Sequence, residues 1–186
     1  KEVLKAILET QTAAIRDAEP ESGKFPVIIG GMGNVGNFSV LAEYLASHGY
    51  VVASIGSHSK TFTLQVTQPQ VAIEWQTRNI EYLLPFLRAY NFADSSRIGL
   101  IGANFDGMVV LNFQMRNQIA DAIVSIDGLE SKKGNVSTAR QSPYFDVLKL
   151  RVPYLLFLQD KPLNEGLQFD SIFFNQWGTD LLTYSE

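Results

Sequence analysis

The chain contains no cysteine. That excludes disulfides, thiolate metal sites and a cysteine nucleophile together. Histidine is nearly as scarce, with His48 and His58 the only two in 186 residues. A metal centre would then have to rest on carboxylates, and these show no ligand-like spacing, so no metal is expected. Long apolar runs are missing too: none approaches the ~20 residues of a membrane span. Basic clusters are few. Lys132-Lys133 and Lys149-x-Arg151 are small pairs on a chain of net charge −4, which gives no support for nucleic acid or an anionic membrane as partner. The lack of cysteine leaves the compartment open between cytoplasm, periplasm and exterior. The start at Lys1 reads as a processed or trimmed end.

What is present is a globular composition, 46% hydrophobic and 18% charged. The length suits a single domain over 1–186. Within it we expect an N-terminal helix and loop over 1–24, a core over 25–158 and a tail over 159–186. Val3, Leu4, Ile7, Leu8 and Ile15 fit a helical stripe ending near Asp17. Apolar runs predict strands over 25–30, 50–55, 97–101, 121–126 and 152–158. Helices are predicted over 38–47, 71–90 and 108–114, with Pro85 as a kink or break in the second. The polar stretches 56–68 and 128–142 read as loops. Strands alternating with helices imply an α/β fold: a mostly parallel sheet of about five to six strands, flanked by helices.

Chemistry-bearing residues collect at the carboxyl ends of those strands. The run Gly102-Ala103-Asn104-Phe105-Asp106-Gly107 follows a strand and precedes a helix, the setting in which G-x-S-x-G presents a nucleophilic serine. Here the central residue is Asn104, an amide that a neighbouring base cannot activate. Asp106 stands where a small residue is normal. Asp127 ends the next strand, and Asp160 follows the last one. A glycine-rich turn, Gly31-Met32-Gly33-Asn34-Val35-Gly36, follows the first.

Four segments together resemble an α/β hydrolase of the platelet-activating-factor acetylhydrolase and dienelactone-hydrolase type. They are 23–33, 41–53, 97–102 and 121–128. The resemblance implies a carboxylic-ester hydrolase ancestry and a small ester or acyl ligand. Position by position, it places Asn104 at the nucleophile and Asp127 at the triad acid. The backbone N–H groups of Met32 and Phe105 fall at the oxyanion hole, and Gly31, Gly33, His58 and Asp106 fall around the pocket. It further implies a histidine well after Asp127, in an element beyond 152–158, so the fold is expected to be truncated at its C-terminus. Both histidines instead precede the elbow. His48 reads as a helix-end residue and His58 as a loop residue near the site mouth. A weakly active or inactive hydrolase is therefore expected, or a non-catalytic acyl-binding or scaffold protein.

Gly31-x-Gly33-x-x-Gly36 is also a formal dinucleotide fingerprint. It should be followed about 20 residues on by an acidic ribose partner, where this chain has Ser54, Ile55, Gly56 and Ser57. An NAD(P)-dependent oxidoreductase is the further alternative, and no cofactor is expected under the main reading.

Overall fold

The computed structural model describes residues 12–31, 38–55, 59–129 and 135–157. Five strands form one sheet: β1 (Phe25–Gly31), β2 (Val51–Ser54), β3 (Ala93–Ala103), β4 (Ala122–Ile126) and β5 (Tyr154–Phe157). Their order is β2-β1-β3-β4-β5, and every neighbouring pair is parallel. Five α-helices are described: α1 (Ser39–Ser47), α2 (Ser59–Thr67), α3 (Pro69–Ala89), α4 (Phe105–Asn117) and α5 (Asn135–Ala139). The expected α/β architecture, with its parallel sheet flanked by helices, is what forms. The strand order is not the 3-2-1-4-5-6 order of the dinucleotide fold. It reverses direction between β1 and β3, and in open α/β sheets the carboxyl ends at such a switch point are where ligands bind.

Alternation along the strands sorts the side chains into two faces. Val27, Ile29, Ile98, Leu100 and Ile123 are buried and join the core with Ile73, Ile80 and Leu84 of α3 and Val109, Val110 and Phe113 of α4. The other face of β5 carries Leu155 and Phe157, both exposed among the described residues. Helix α4 is buried along its length from Phe105 to Met115. Buried polar groups favour partners within the protein, and several of the helix's side chains have them, although Asn112 Oδ1 has none among the described residues. Asn112 Nδ2 donates to Thr77 Oγ1 at 2.9 Å and Arg116 Nε to Glu81 Oε1 at 2.8 Å, joining α4 to α3. Gln114 bridges the turn after α4, accepting from Ala120 N–H at 3.0 Å and donating to Ala120 O at 3.4 Å. That turn passes through Gln118 in the left-handed region (φ 53°), whose N–H closes on Gln114 O.

Four local expectations need correction. Residues 12–17, within the expected N-terminal helix, are not helical; Asp17 has φ 55° and Ile15 is exposed. Residues 1–11 lie outside the described residues. The 56–68 loop contains helix α2, whose Leu64 packs against the core, so tertiary contact overrides a Thr-rich polar composition. Likewise 128–142 contains the short α5. Pro85 neither breaks nor ends α3. It lies on the exposed side, close to the helix end, while Leu84 and Leu87 on either side are buried. Water can satisfy the carbonyl that loses its partner there, and Pro69 in the first turn gives α3 its start.

The two ends of β3 are irregular in different ways. At its start the register with β1 slips: Pro26 pairs with Asp94, and Val27 with Ile98. The extra residues are gathered by Asp94, which accepts from Ser96 N–H (3.1 Å), Ser96 Oγ (2.5 Å) and Arg97 Nε (2.6 Å). The Asp121 carboxylate then accepts from Ile98 N–H at 2.8 Å and re-enters the ladder. At its end, β3 runs into the turn that carries Asn104.

Candidate active site at the elbow after the third strand

Gly31, the last residue of β1, pairs with Gly102 of β3, so the end of β1 and the start of the elbow lie side by side at the switch point. Asn104 lies between β3 and α4 with φ 53° and ψ −118°. This backbone is strained for any residue with a Cβ and costs of order 1–3 kcal/mol. Three backbone hydrogen bonds hold it. Asn104 N–H donates to Ile126 O at 3.0 Å, while Asn104 O accepts from Leu129 N–H at 2.9 Å and from Gly107 N–H at 3.2 Å. The elbow is thereby stitched to the end of β4 and to the first turn of α4.

Gly102 makes the sharp turn possible. A Cβ there would sit 2.5 Å from the Asp106 carbonyl oxygen and 2.8 Å from Gly107 N. Those are backbone atoms in a buried helix, so no rotamer change could relieve the clash. The outcome is a side chain presented outward: Asn104 is exposed, while Phe105 and Asp106 on its far side are buried. Among the described residues, neither the Asn104 carboxamide nor the Phe105 N–H has a hydrogen-bond partner. Phe105 N–H stands at the N-terminal end of a 13-residue helix, where the orphan donors and the positive end of the dipole favour a negative oxygen.

Asp127 follows β4 immediately and is half-buried. It too has left-handed backbone, φ 48°, and its N–H donates to Phe157 O at 2.7 Å. Because Ala103 pairs with Ile126, Asn104 and Asp127 leave adjacent strands at the same level of the sheet. Asp106 is only 3% exposed in the first turn of α4, on the inner side of the elbow and not at its open tip with Asn104. Met32, Gly33, His58 and Asp160 lie outside the described residues. His48 does end α1, and its Nδ1 lies 2.7 Å from Tyr44 O and 3.1 Å from Ser47 Oγ, a helix-end setting far in sequence from the elbow. Among the residues described, no cluster of His, Asp and Glu could hold a metal ion, and no helix is long and apolar enough to cross a membrane. The feature that sequence reasoning did not contain is the pair of positive φ angles at Asn104 and Asp127. Only the flanking glycine at 102 hinted at the first.

No family model matches the chain, and no curated protein matches it in sequence. Solved structures match it in shape. An acylaminoacyl peptidase in complex with Z-Gly-Gly-Phe-chloromethyl ketone superposes with a TM-score of 0.60 at 20% identity, over 88% of this chain and 32% of its own. The acylaminoacyl peptidase of Pyrococcus horikoshii gives 0.59 at 18% identity, again over 88% and 32%. A ferulic acid esterase from Streptomyces cinnamoneus gives 0.53 at 20% identity, over 60% of this chain and 39% of its own. The chain thus spans about a third to two fifths of the length of these proteins. At such identities the likeness is one of fold. The five parallel strands and their flanking helices have the architecture of the α/β-hydrolase fold.

Proposed function

We propose that the elbow is the acyl site of a carboxylic-ester hydrolase fold in which Asn104 has replaced the nucleophile. On this reading the protein binds small esters or carboxylates and hydrolyses them weakly or not at all. The observation that carries the reading is the Asn104 backbone, φ 53° and ψ −118°, beside a Phe105 N–H with no acceptor among the described residues. A carboxamide nitrogen is not nucleophilic, and no base near neutral pH makes it so. Backbone donors do not depend on side-chain identity, so a carbonyl or carboxylate oxygen can still be bound where an oxyanion would form. Sites that have lost triad members elsewhere keep about 10³–10⁴-fold catalysis over water, which sets the ceiling for residual turnover.

The narrower likeness to acetylhydrolases and dienelactone hydrolases belongs to this proposal. So does Asp127 as the former acid, with Met32 and Phe105 as the oxyanion donors. The support from Asp127 is its place at the end of the strand beside the elbow. Two measurements test the reading. Hydrolysis of p-nitrophenyl acetate should proceed at the same rate in the wild type and in Asn104→Ala; a rate that falls in the variant would show elbow-dependent catalysis and overturn the loss of the nucleophile. Titration with butyrate should shift the Phe105 backbone amide resonance saturably. An unmoved Phe105 resonance would remove the acyl site.

A further inference from the structure

The Asn104 backbone is set for a reaction of the residue with itself. Viewed along the Cα–C bond, the Cβ of an L residue lies about 120° from its own nitrogen. A ψ of −118° therefore brings the nitrogen of Phe105 almost into eclipse with the Asn104 Cβ. That eclipse is the geometry of a five-membered ring closed through Cα, Cβ, Cγ, the Phe105 nitrogen and the Asn104 carbonyl carbon. Only rotation about Cα–Cβ then separates Cγ from the attacking nitrogen. The side chain is exposed and its carboxamide has no hydrogen-bond partner among the described residues, so that rotation is unopposed by them. The attacking N–H likewise has no described acceptor to release. Its position at the first turn of α4 favours the transient negative charge.

We propose that Asn104 is a self-modification site, which folding activates to cyclise to a succinimide and open to a carboxylate at the tip of the elbow. The Phe105 nitrogen attacks Asn104 Cγ. The new N–Cγ bond forms, the Cγ–NH2 bond breaks, and the proton lost from the Phe105 nitrogen leaves with the amide as ammonia, through solvent. Water then adds to one ring carbonyl. Attack at Cγ gives aspartate at 104, and attack at the main-chain carbonyl gives isoaspartate. The sum is asparagine plus water to aspartate plus ammonium, with no other reactant.

Two helical asparagines of the same fold lack this arrangement. Asn112 and Asn117 lie inside α4, where a ψ near −42° holds the corresponding torsion about 80° from eclipse. Their amide nitrogens are also engaged, Asn112 with Thr77 at 2.9 Å and Asn117 with Glu81 at 2.9 Å. In an unfolded chain Asn104 would visit the eclipsed, left-handed state only rarely, since L residues avoid it. The consequence is a reversal of the usual order, in which folding protects asparagine.

The test is to incubate the 186-residue chain at mildly alkaline pH, folded in buffer and unfolded in urea, and to follow residue 104 by peptide mapping and mass spectrometry. The expected result is conversion of Asn104 about tenfold or more faster in the folded chain, the gain of fixing two reacting groups in line. Hydroxylamine, which opens succinimides, should cleave the folded chain between 104 and 105. Asn104→Gln, which lengthens the side chain by one methylene, should abolish the cleavage while leaving Asn112 and Asn117 unconverted as in the wild type. Conversion at 104 that is no faster folded than unfolded would overturn the proposal, as would folded protein that hydroxylamine leaves intact.

Discussion

The two ends of β3 solve similar problems by opposite means. At the start, surplus residues between Asp94 and Ile98 are gathered by one carboxylate taking three hydrogen bonds. At the far end the chain is forced through Asn104 by a missing Cβ at Gly102 and by three main-chain hydrogen bonds. One irregularity is written in side chains and the other in backbone. The difference matters for what each end can tolerate. A turn held by its backbone can change the residue at its tip without losing its shape, so the proposed replacement of a nucleophile by Asn104 is compatible with an intact elbow. A turn held by a side chain fails when that side chain is changed or neutralised.

The sharpest break of this contrast is Gly102→Ala. The added Cβ meets the Asp106 carbonyl oxygen at 2.5 Å, inside a buried helix that cannot yield cheaply. A loss of about 3 kcal/mol or more is expected, at the upper end of single-site effects. Urea unfolding monitored by Trp fluorescence measures it; a variant as stable as the wild type would mean that the elbow is not backbone-locked. The opposite sign is expected at the tip. Asn104→Gly relieves a conformation that glycine adopts readily, and stability should rise by about 0.5–1 kcal/mol. A loss there would show that the Asn104 side chain itself holds the turn.

The smallest effect belongs to the other end of the strand, and it depends on pH. Hydrogen bonds from the Ser96 hydroxyl, then Arg97, then the Ser96 N–H hold the Asp94 carboxyl at about 2, below its ordinary 3.8. Its folded form thus favours the charged state. The contribution is fully present above the ordinary value and is lost as pH falls through the folded one. Asp94→Asn should lower the urea midpoint slightly at neutral pH, and the gap to wild type should close as the pH approaches 2. Asp94 is solvent-screened, so the gap is small throughout. A gap that persists undiminished in acid would assign the effect to packing.

Why the sequence exposed some of this and hid the rest follows from the same division. The strands were legible where β-branched and apolar runs end in glycine, as at Val27–Gly31 and Ile98–Gly102. The elbow was legible because Gly102 stands where such a run gives way to a helix. Helix α2 was not legible: Ser59–Thr67 has threonines at three of nine positions, and it is helical through packing against α3 and the core. Those contacts come from other elements, so a local pattern does not show them. The N-terminal stripe misled in the reverse direction, because Ile15 continued a period but has nothing described to pack on. For the site, Asn104 and Asp127 could be placed at strand ends, but their positive φ could not. Neither residue requires that conformation; main-chain hydrogen bonds to neighbouring strands hold them there, from Asn104 N–H to Ile126 O and from Asp127 N–H to Phe157 O.

Helix α4 gives the elbow a property that concerns time rather than shape. A strained residue at the edge of a loosely held element would relax whenever that element frayed, within microseconds. Asn104 is instead joined to a helix buried from its first residue to Met115 and tied at both ends, by Gly107 N–H at one and the Gln114 clamp at the other. Segments of this kind open only with the global transition. The elbow's unfavourable backbone therefore persists for as long as the molecule stays folded. Reactions too slow for a fluctuating loop have that whole lifetime in which to proceed.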